Sequence, residues 1–417
     1  MKSLSLRIAV LAGFALLAAC LPVCVSAQAP GGRGPQGPRC AGGVEQLPDN
    51  RVTFRFCAPN AQSVAVTGDL SVPADAFTKG EAGMWTGTTA QPIGPDTYRY
   101  YYIVDGVSVV DPNAKEFSDT LTGIRGMVEV KGPAGDYQTF NRGIPHGQVH
   151  QVYYWSSAFN AQRRMHVYTP PGYEAKDSRR YPVLYIRHGA GDNDSSWMTA
   201  GRANYILDNL IAAKKAVPMI IVSTADSGGP EQPKGGITPA PAAPAGGAAR
   251  AGGAPGQAAQ PQAPLPTGTG PATPSGLYGR DLFEVVIPYI DSNYRTVANA
   301  RNRAMAGLSA GGSATLNNGL PNPQVFQWIG IYSIGASPES YLARNKAALE
   351  KGKATNKLLY YAVGREDGIT ANGSGAATNK MLGELGYRNY VFNESEGGHT
   401  WINWRRYLND FAPRLFR

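Results

Sequence analysis

The chain has 417 residues, enough for two domains and a large buried core, with 42% hydrophobic and only 17% charged residues. Its 51 glycines and 32 prolines gather in stretches that cannot bury side chains, so part of the chain is expected to stay unfolded. The net charge of +9 comes from scattered Lys and Arg with no basic run interleaved with aromatics, which argues against a nucleic-acid partner and reads as solvated surface charge.

Lys2 and Arg7 precede the apolar run Ile8 to Ala19 and the small-residue site Val25-Ser26-Ala27, so residues 1–27 are predicted to be an export signal peptide. The protein is then periplasmic or extracellular, and the apolar run is too short for a membrane span. Leu17-Ala18-Ala19-Cys20 resembles a bacterial lipobox, which offers the alternative of an outer-membrane lipoprotein acylated at Cys20 and is the single membrane link the sequence suggests. After conventional cleavage Cys40 and Cys57 remain, an even pair in an oxidising compartment that fits either one disulfide or two inert thiols. No metal-ligand spacing surrounds them, and no metal is expected.

Residues 28–39, rich in Gly and Pro, read as a flexible tether. Short alternating strands follow at Val52 to Phe56, Ser63 to Val66, Tyr98 to Val104 and Met127 to Val130. Their spacing predicts a small all-β, immunoglobulin-like sandwich over residues 40–140. Phe56-Cys57-Ala58-Pro59-Asn60-Ala61, Trp85, Tyr98 to Tyr102, Asp105-Gly106 and Asp111-Pro112-Asn113 resemble the early-set sandwiches grouped with family 48 carbohydrate-binding modules. That resemblance implies polysaccharide binding. Trp85 and the tyrosines also alternate as core residues do, which would leave the module a docking platform.

Residues 141–417 carry the second pattern. Residues 141–150 read as a connector, and Arg163 to Tyr173 as a strand ending in a Pro-Gly turn. Tyr181 to Ile186 is a nearly continuous apolar run, as in a parallel strand covered on both faces, and it leads to His188-Gly189-Ala190-Gly191. Arg202 to Lys214 has helical spacing, the strand Met219 to Val222 follows, and Asp281 to Tyr294 is helical again. Between them, residues 227–275 are almost wholly Gly, Pro, Ala, Gln and Thr, a predicted disordered insertion.

Gly307-Leu308-Ser309-Ala310-Gly311-Gly312 lies between the strand Arg303 to Ala306 and a segment able to form a helix, the pattern of a nucleophile elbow. Ser309 is the candidate nucleophile. The Ala310 N–H opens a helix, lacks an intrahelical acceptor and is free to hold an oxyanion. Ala190 supplies the second oxyanion N–H, with Gly191 as the alternative donor. A serine hydroxyl needs a base, and of the five histidines only His399 follows Ser309, as the order Ser, acid, His requires. Trp401 and Trp404 are expected to wall the substrate pocket. The acid should end the strand Lys357 to Val363, which selects Asp367 over Glu366 three residues after Gly364.

Tyr168-Thr169-Pro170-Pro171-Gly172-Tyr173, His188-Gly189, Gly201-Arg202-Ala203-Asn204, Pro288-Tyr289-Ile290, Asn293-Tyr294-Arg295, Gly307 to Gly312, Gly364 with Asp367, and Gly398-His399 with Trp401, Trp404 and Arg405 resemble the esterase D group. The resemblance is to carbohydrate esterase family 1, its feruloyl and acetyl-xylan esterases and their enterobactin-esterase-like relatives. It implies an α/β-hydrolase fold behind the sandwich and a serine carboxylic-ester hydrolase that needs no cofactor. Feruloyl or acetyl esters of plant polysaccharide are the implied substrate, and a siderophore lactone is the alternative. A glycan-binding lipoprotein with an inert hydrolase domain is the reading from another class. Ala310 stands where methionine is common in the family, and Asp192 where a further glycine is common.

Overall fold

Alternation between Val52 and Val130 sends every second side chain inward, and two antiparallel sheets result. The computed structural model describes residue 40 and residues 42–174, 178–225 and 275–417. The signal peptide, the lipobox, the tether and, apart from Ser275, the insertion expected at 227–275 lie outside them. Strands β1 (Gly43–Gln46), β2 (Val52–Cys57), β3 (Val64–Gly68), β4 (Phe77–Lys79), β5 (Met84–Thr88), β6 (Asp96–Val104), β7 (Val107–Val109), β8 (Glu116–Thr120) and β9 (Gly123–Val130) build the first part. One sheet runs β1-β2-β5-β4, the other β3-β6-β9-β8 with β7 on β6.

Between them lies a core containing Phe54, Phe56, Trp85, Tyr98, Tyr100 and Tyr102. Phe54 meets Tyr100 edge-on at 5.1 Å between ring centroids. The polar tips of these aromatics are used internally: Trp85 Nε1 donates to the Ala58 carbonyl and Tyr100 Oη to Asp111. Of the aromatics that resembled a glycan surface, Trp85, Tyr98, Tyr100 and Tyr102 are thus buried side chains, and the partly buried Tyr101 lies under the Arg125 guanidinium. Cys40 and Cys57 are joined in a disulfide.

The second part is an eight-stranded sheet of β10 (Gln148–Ser156), β11 (Ala161–Thr169), β12 (Val183–Arg187), β13 (Ile220–Thr224), β14 (Arg303–Leu308), β15 (Trp328–Tyr332), β16 (Leu358–Gly364) and β17 (Tyr390–Ser395). Their spatial order is β10-β11-β13-β12-β14-β15-β16-β17; β11 is antiparallel to both neighbours and the rest are parallel. Helices cover both faces, so successive residues of one strand enter different cores: Val183 and Tyr185 pack on one side, Leu184 and Ile186 on the other. The helix Ala203–Ala212 starts where Arg202 to Lys214 predicts it. The one predicted from Asp281 begins earlier, at Gly276, and has a wide turn over Leu282–Val286 just before Pro288, whose missing N–H cannot complete a regular ladder.

Residues Cys40–Arg417 form one compact unit. Asn209 Nδ2 donates to the carbonyls of Tyr137 and Thr139, and His146 Nδ1 meets Asp208 at 2.8 Å, which secures the connector to the helix Ala203–Ala212. No helix among the described residues is long and apolar enough to cross a membrane.

Candidate active site

Parallel strands carry successive loops to one sheet edge, and β14 delivers Ser309 there. Ser309 has φ 51° and ψ −119°, a backbone that ordinary side chains rarely adopt, and Ala310–Ala314 begin a helix directly after it. The glycines around it answer to space. A Cβ on Gly307 would lie 2.3 Å from the Gly311 carbonyl oxygen, and one on Gly311 would lie 2.3 Å from the Arg187 carbonyl oxygen. Ser309 N–H donates to the Tyr332 carbonyl at 2.9 Å, tying the turn to the end of β15. Among the described residues the Ser309 hydroxyl makes no hydrogen bond.

The turn after β12 lies against this serine: a Cβ on Gly189 would be 3.1 Å from Ser309 Cβ. It is closed by Asp192 N–H donating to the Gly189 carbonyl at 3.4 Å, and Leu121 N–H donates to the Gly191 carbonyl at 3.0 Å. Among the described residues neither the Ala190 nor the Ala310 N–H donates within the protein. Ala190 is exposed and Ala310 partly so.

Asp367 follows β16. Its Oδ2 accepts from His399 Nδ1 at 2.9 Å and its Oδ1 from Ile369 N–H at 3.0 Å, where it caps a short helix. Burial works to raise the Asp367 pKa; the hydrogen bonds from His399, Ile369 N–H and Ser333 prevail and hold the carboxyl below its ordinary value. An ionised carboxylate at Nδ1 fixes the proton there and leaves Nε2 as the basic nitrogen. The Asp367 side chain is 1% exposed and that of His399 39%, so the acid is sealed and the imidazole open. Gly364 permits the approach of the two loops, because a Cβ there would meet the Gly397 carbonyl oxygen at 2.0 Å.

The four other histidines are engaged elsewhere: His146 with Asp208, His150 with Thr169, His166 with Asp194, and His188 with the Gly189 carbonyl. Glu366 is exposed, while Glu394 and Glu396 face Arg365.

Trp401 and Trp404 correct an expectation. Both are buried, at 1% and 6% exposure, and stand behind His399 instead of walling a pocket. Trp404 packs edge-on against the imidazole at 5.0 Å and donates Nε1 to Ser333 Oγ, while Trp401 donates Nε1 to Asp192 Oδ2 at 3.1 Å. Indole rings beside a histidine pack equally well as wall or as backing, and burial decides. Sequence reasoning missed Ser333, which sits past β15 with φ 51° and touches both Trp404 and Asp367. No motif marks it.

Comparison with known proteins bears on the family and the fold. The Esterase family model matches residues 156–251 and 274–415. An endo-1,4-beta-xylanase/feruloyl esterase of Xylanibacter ruminicola is 30% identical over 368 residues, which is 87% of this chain but 44% of that protein, so the chain spans less than half of that relative's length. The enterobactin esterase of Shigella flexneri shares the fold at TM-score 0.55 and 15% identity over 90% of this chain and 95% of its own. The CE1 ferulic acid esterase of Anaeromyces mucronatus does so at TM-score 0.50 and 20% identity over 67% and 95%. With the strand order above and this family match, the chain belongs to the esterase family and has the α/β-hydrolase fold.

Proposed function

We propose that the chain is an exported serine esterase that works through an acyl-enzyme, acting on feruloyl or acetyl esters of xylan. The observation that carries the mechanism is the 2.9 Å Asp367–His399 pair at the sheet edge where Ser309 sits on a strained turn. His399 Nε2 takes the Ser309 proton as Oγ attacks the ester carbonyl, and the Ala190 and Ala310 N–H groups receive the oxyanion. The alcohol leaves with the proton from His399, and water then releases the acid by the same route. Serine-to-base contacts of this kind tighten with substrate in place. The likeness to the Xylanibacter endo-1,4-beta-xylanase/feruloyl esterase supports the xylan-ester substrate. The sandwich would hold polysaccharide through surfaces other than its buried aromatics.

Hydrolysis of p-nitrophenyl acetate by the wild type and its loss in Ser309→Ala test the chemistry; equal rates would overturn it. The fold likeness to an enterobactin esterase over 90% of this chain supports a second substrate, a triscatecholate lactone. Ferulate release from arabinoxylan, measured beside lactone opening, separates the two.

A further inference from the structure

We infer that Arg99, on the N-terminal sheet system, is a positioning residue for the ester-cleaving site, acting through Asp192 on the turn that carries the Ala190 N–H. The inference rests on the serine mechanism proposed above.

Arg99 Nη1 donates to Asp192 Oδ1 at 2.6 Å, and the two side chains are 18% and 8% exposed. Such a charge-assisted bond, mostly shielded from water, is short and directional. The other carboxylate oxygen of Asp192 accepts from Trp401 Nε1 at 3.1 Å. One carboxylate therefore grips both the Gly189–Asp192 turn and the helix Trp401–Phe411, which starts two residues after His399.

Arg99 is itself held. Its backbone N–H donates to Asp69 Oδ2 at 2.8 Å, its carbonyl accepts from Asp69 N–H at 2.8 Å, and its guanidinium lies 5.8 Å from the Trp401 ring. A second tie runs beside it, from Leu121 N–H to the Gly191 carbonyl. The turn has Gly189 pressed on Ser309 at one end and Asp192 anchored at the other. Withdrawing the guanidinium leaves a nearly buried carboxylate with a single indole donor, and the turn must shift to hydrate it. A displacement of that kind moves the oxyanion donor relative to Ser309, which lowers transition-state stabilisation and spares ground-state binding.

The test uses the full chain with p-nitrophenyl acetate as substrate and phenylboronic acid as a probe, because its tetrahedral adduct on serine loads the oxyanion donors. Arg99→Met is expected to lower kcat roughly 10- to 100-fold, with KM within about threefold of wild type, and to weaken boronate inhibition by a similar factor. Arg99→Lys should recover part of the loss. Asp192→Asn, which is isosteric, should mirror Arg99→Met and decides the matter if Arg99→Met does not fold. Wild-type kcat and boronate affinity in these variants, or a kcat loss that only tracks the unfolded fraction by circular dichroism, would overturn the inference. Ser309→Ala is run alongside: hydrolysis there at the wild-type rate removes the serine mechanism itself, whereas a Ser309→Ala variant that has lost turnover beside normal Arg99 and Asp192 variants removes only the positioning role.

Discussion

Arg405 and Asp96 meet in a buried ion pair, 1% and 2% exposed, that joins the helix Trp401–Phe411 to β6. Arg405 Nε and Nη2 both donate to Asp96 Oδ1, and Nη2 also donates to the Thr97 carbonyl at 2.6 Å. Removing Arg405 leaves the buried Asp96 carboxylate to Gln138 and to the half-exposed Arg406 at 3.8 Å. Arg405→Met is expected to lower unfolding free energy by about 3–5 kcal/mol, read from urea denaturation. A loss below about 1 kcal/mol would show that the pair is replaceable by packing.

Asp367 holds His399 in one tautomer and orientation. Asp367→Asn keeps the shape and the Ile369 cap, yet it offers His399 Nδ1 an amide in place of a carboxylate. Turnover of p-nitrophenyl acetate should fall by roughly 1,000- to 10,000-fold with an unchanged circular dichroism spectrum. A drop of less than tenfold would point to another acid.

A Cβ on Gly311 would lie 2.3 and 2.5 Å from the carbonyl oxygens of Arg187 and His188. Since those atoms belong to the backbone of a buried strand and its loop, they cannot swing aside. Gly311→Ala should destabilise the chain by about 1–3 kcal/mol and depress activity together with it. Thermal unfolding and kcat on the same preparation check both.

His188 is fully buried, and burial, only partly offset by its bond to the Gly189 carbonyl, pushes its pKa from the ordinary 6.5 down to about 4. Between those values the unfolded chain binds a proton that the folded chain refuses. Stability therefore rises with pH across this window and is lost as pH falls from about 6.5 toward 4, by about 3 kcal/mol in all. Urea unfolding at neutral pH and near pH 4 should show this slope in the wild type and a flatter one in His188→Asn.

Chain order and strand ends narrow the candidates for nucleophile, acid and base to Ser309, Asp367 and His399, and the fold brings the last two together at 2.9 Å. Apolar runs such as Tyr181 to Ile186 announced the buried sheet for the same reason: both faces are covered, so nearly every residue is apolar. Strands such as β4 and β7, three residues each, are too short to show alternation, and β5 hides behind Gly87, on which Phe77 packs. Trp401 and Trp404 were misassigned because side-chain identity does not say which face is wet. The bond from Arg99 to Asp192 spans 93 residues, and no local pattern predicts a pairing across that distance.

The contacts of Asp96, Arg99 and Leu121 with the helix Trp401–Phe411 and the Gly189–Asp192 turn also bear on how this protein can be cut and recombined. A transplant of residues 141–417 onto a foreign carrier would strand Arg405 and Asp192 without counter-ions and free the turn beside Ser309. A working chimera must bring β6, β8 and β9 along, so the two halves have to be engineered as one piece.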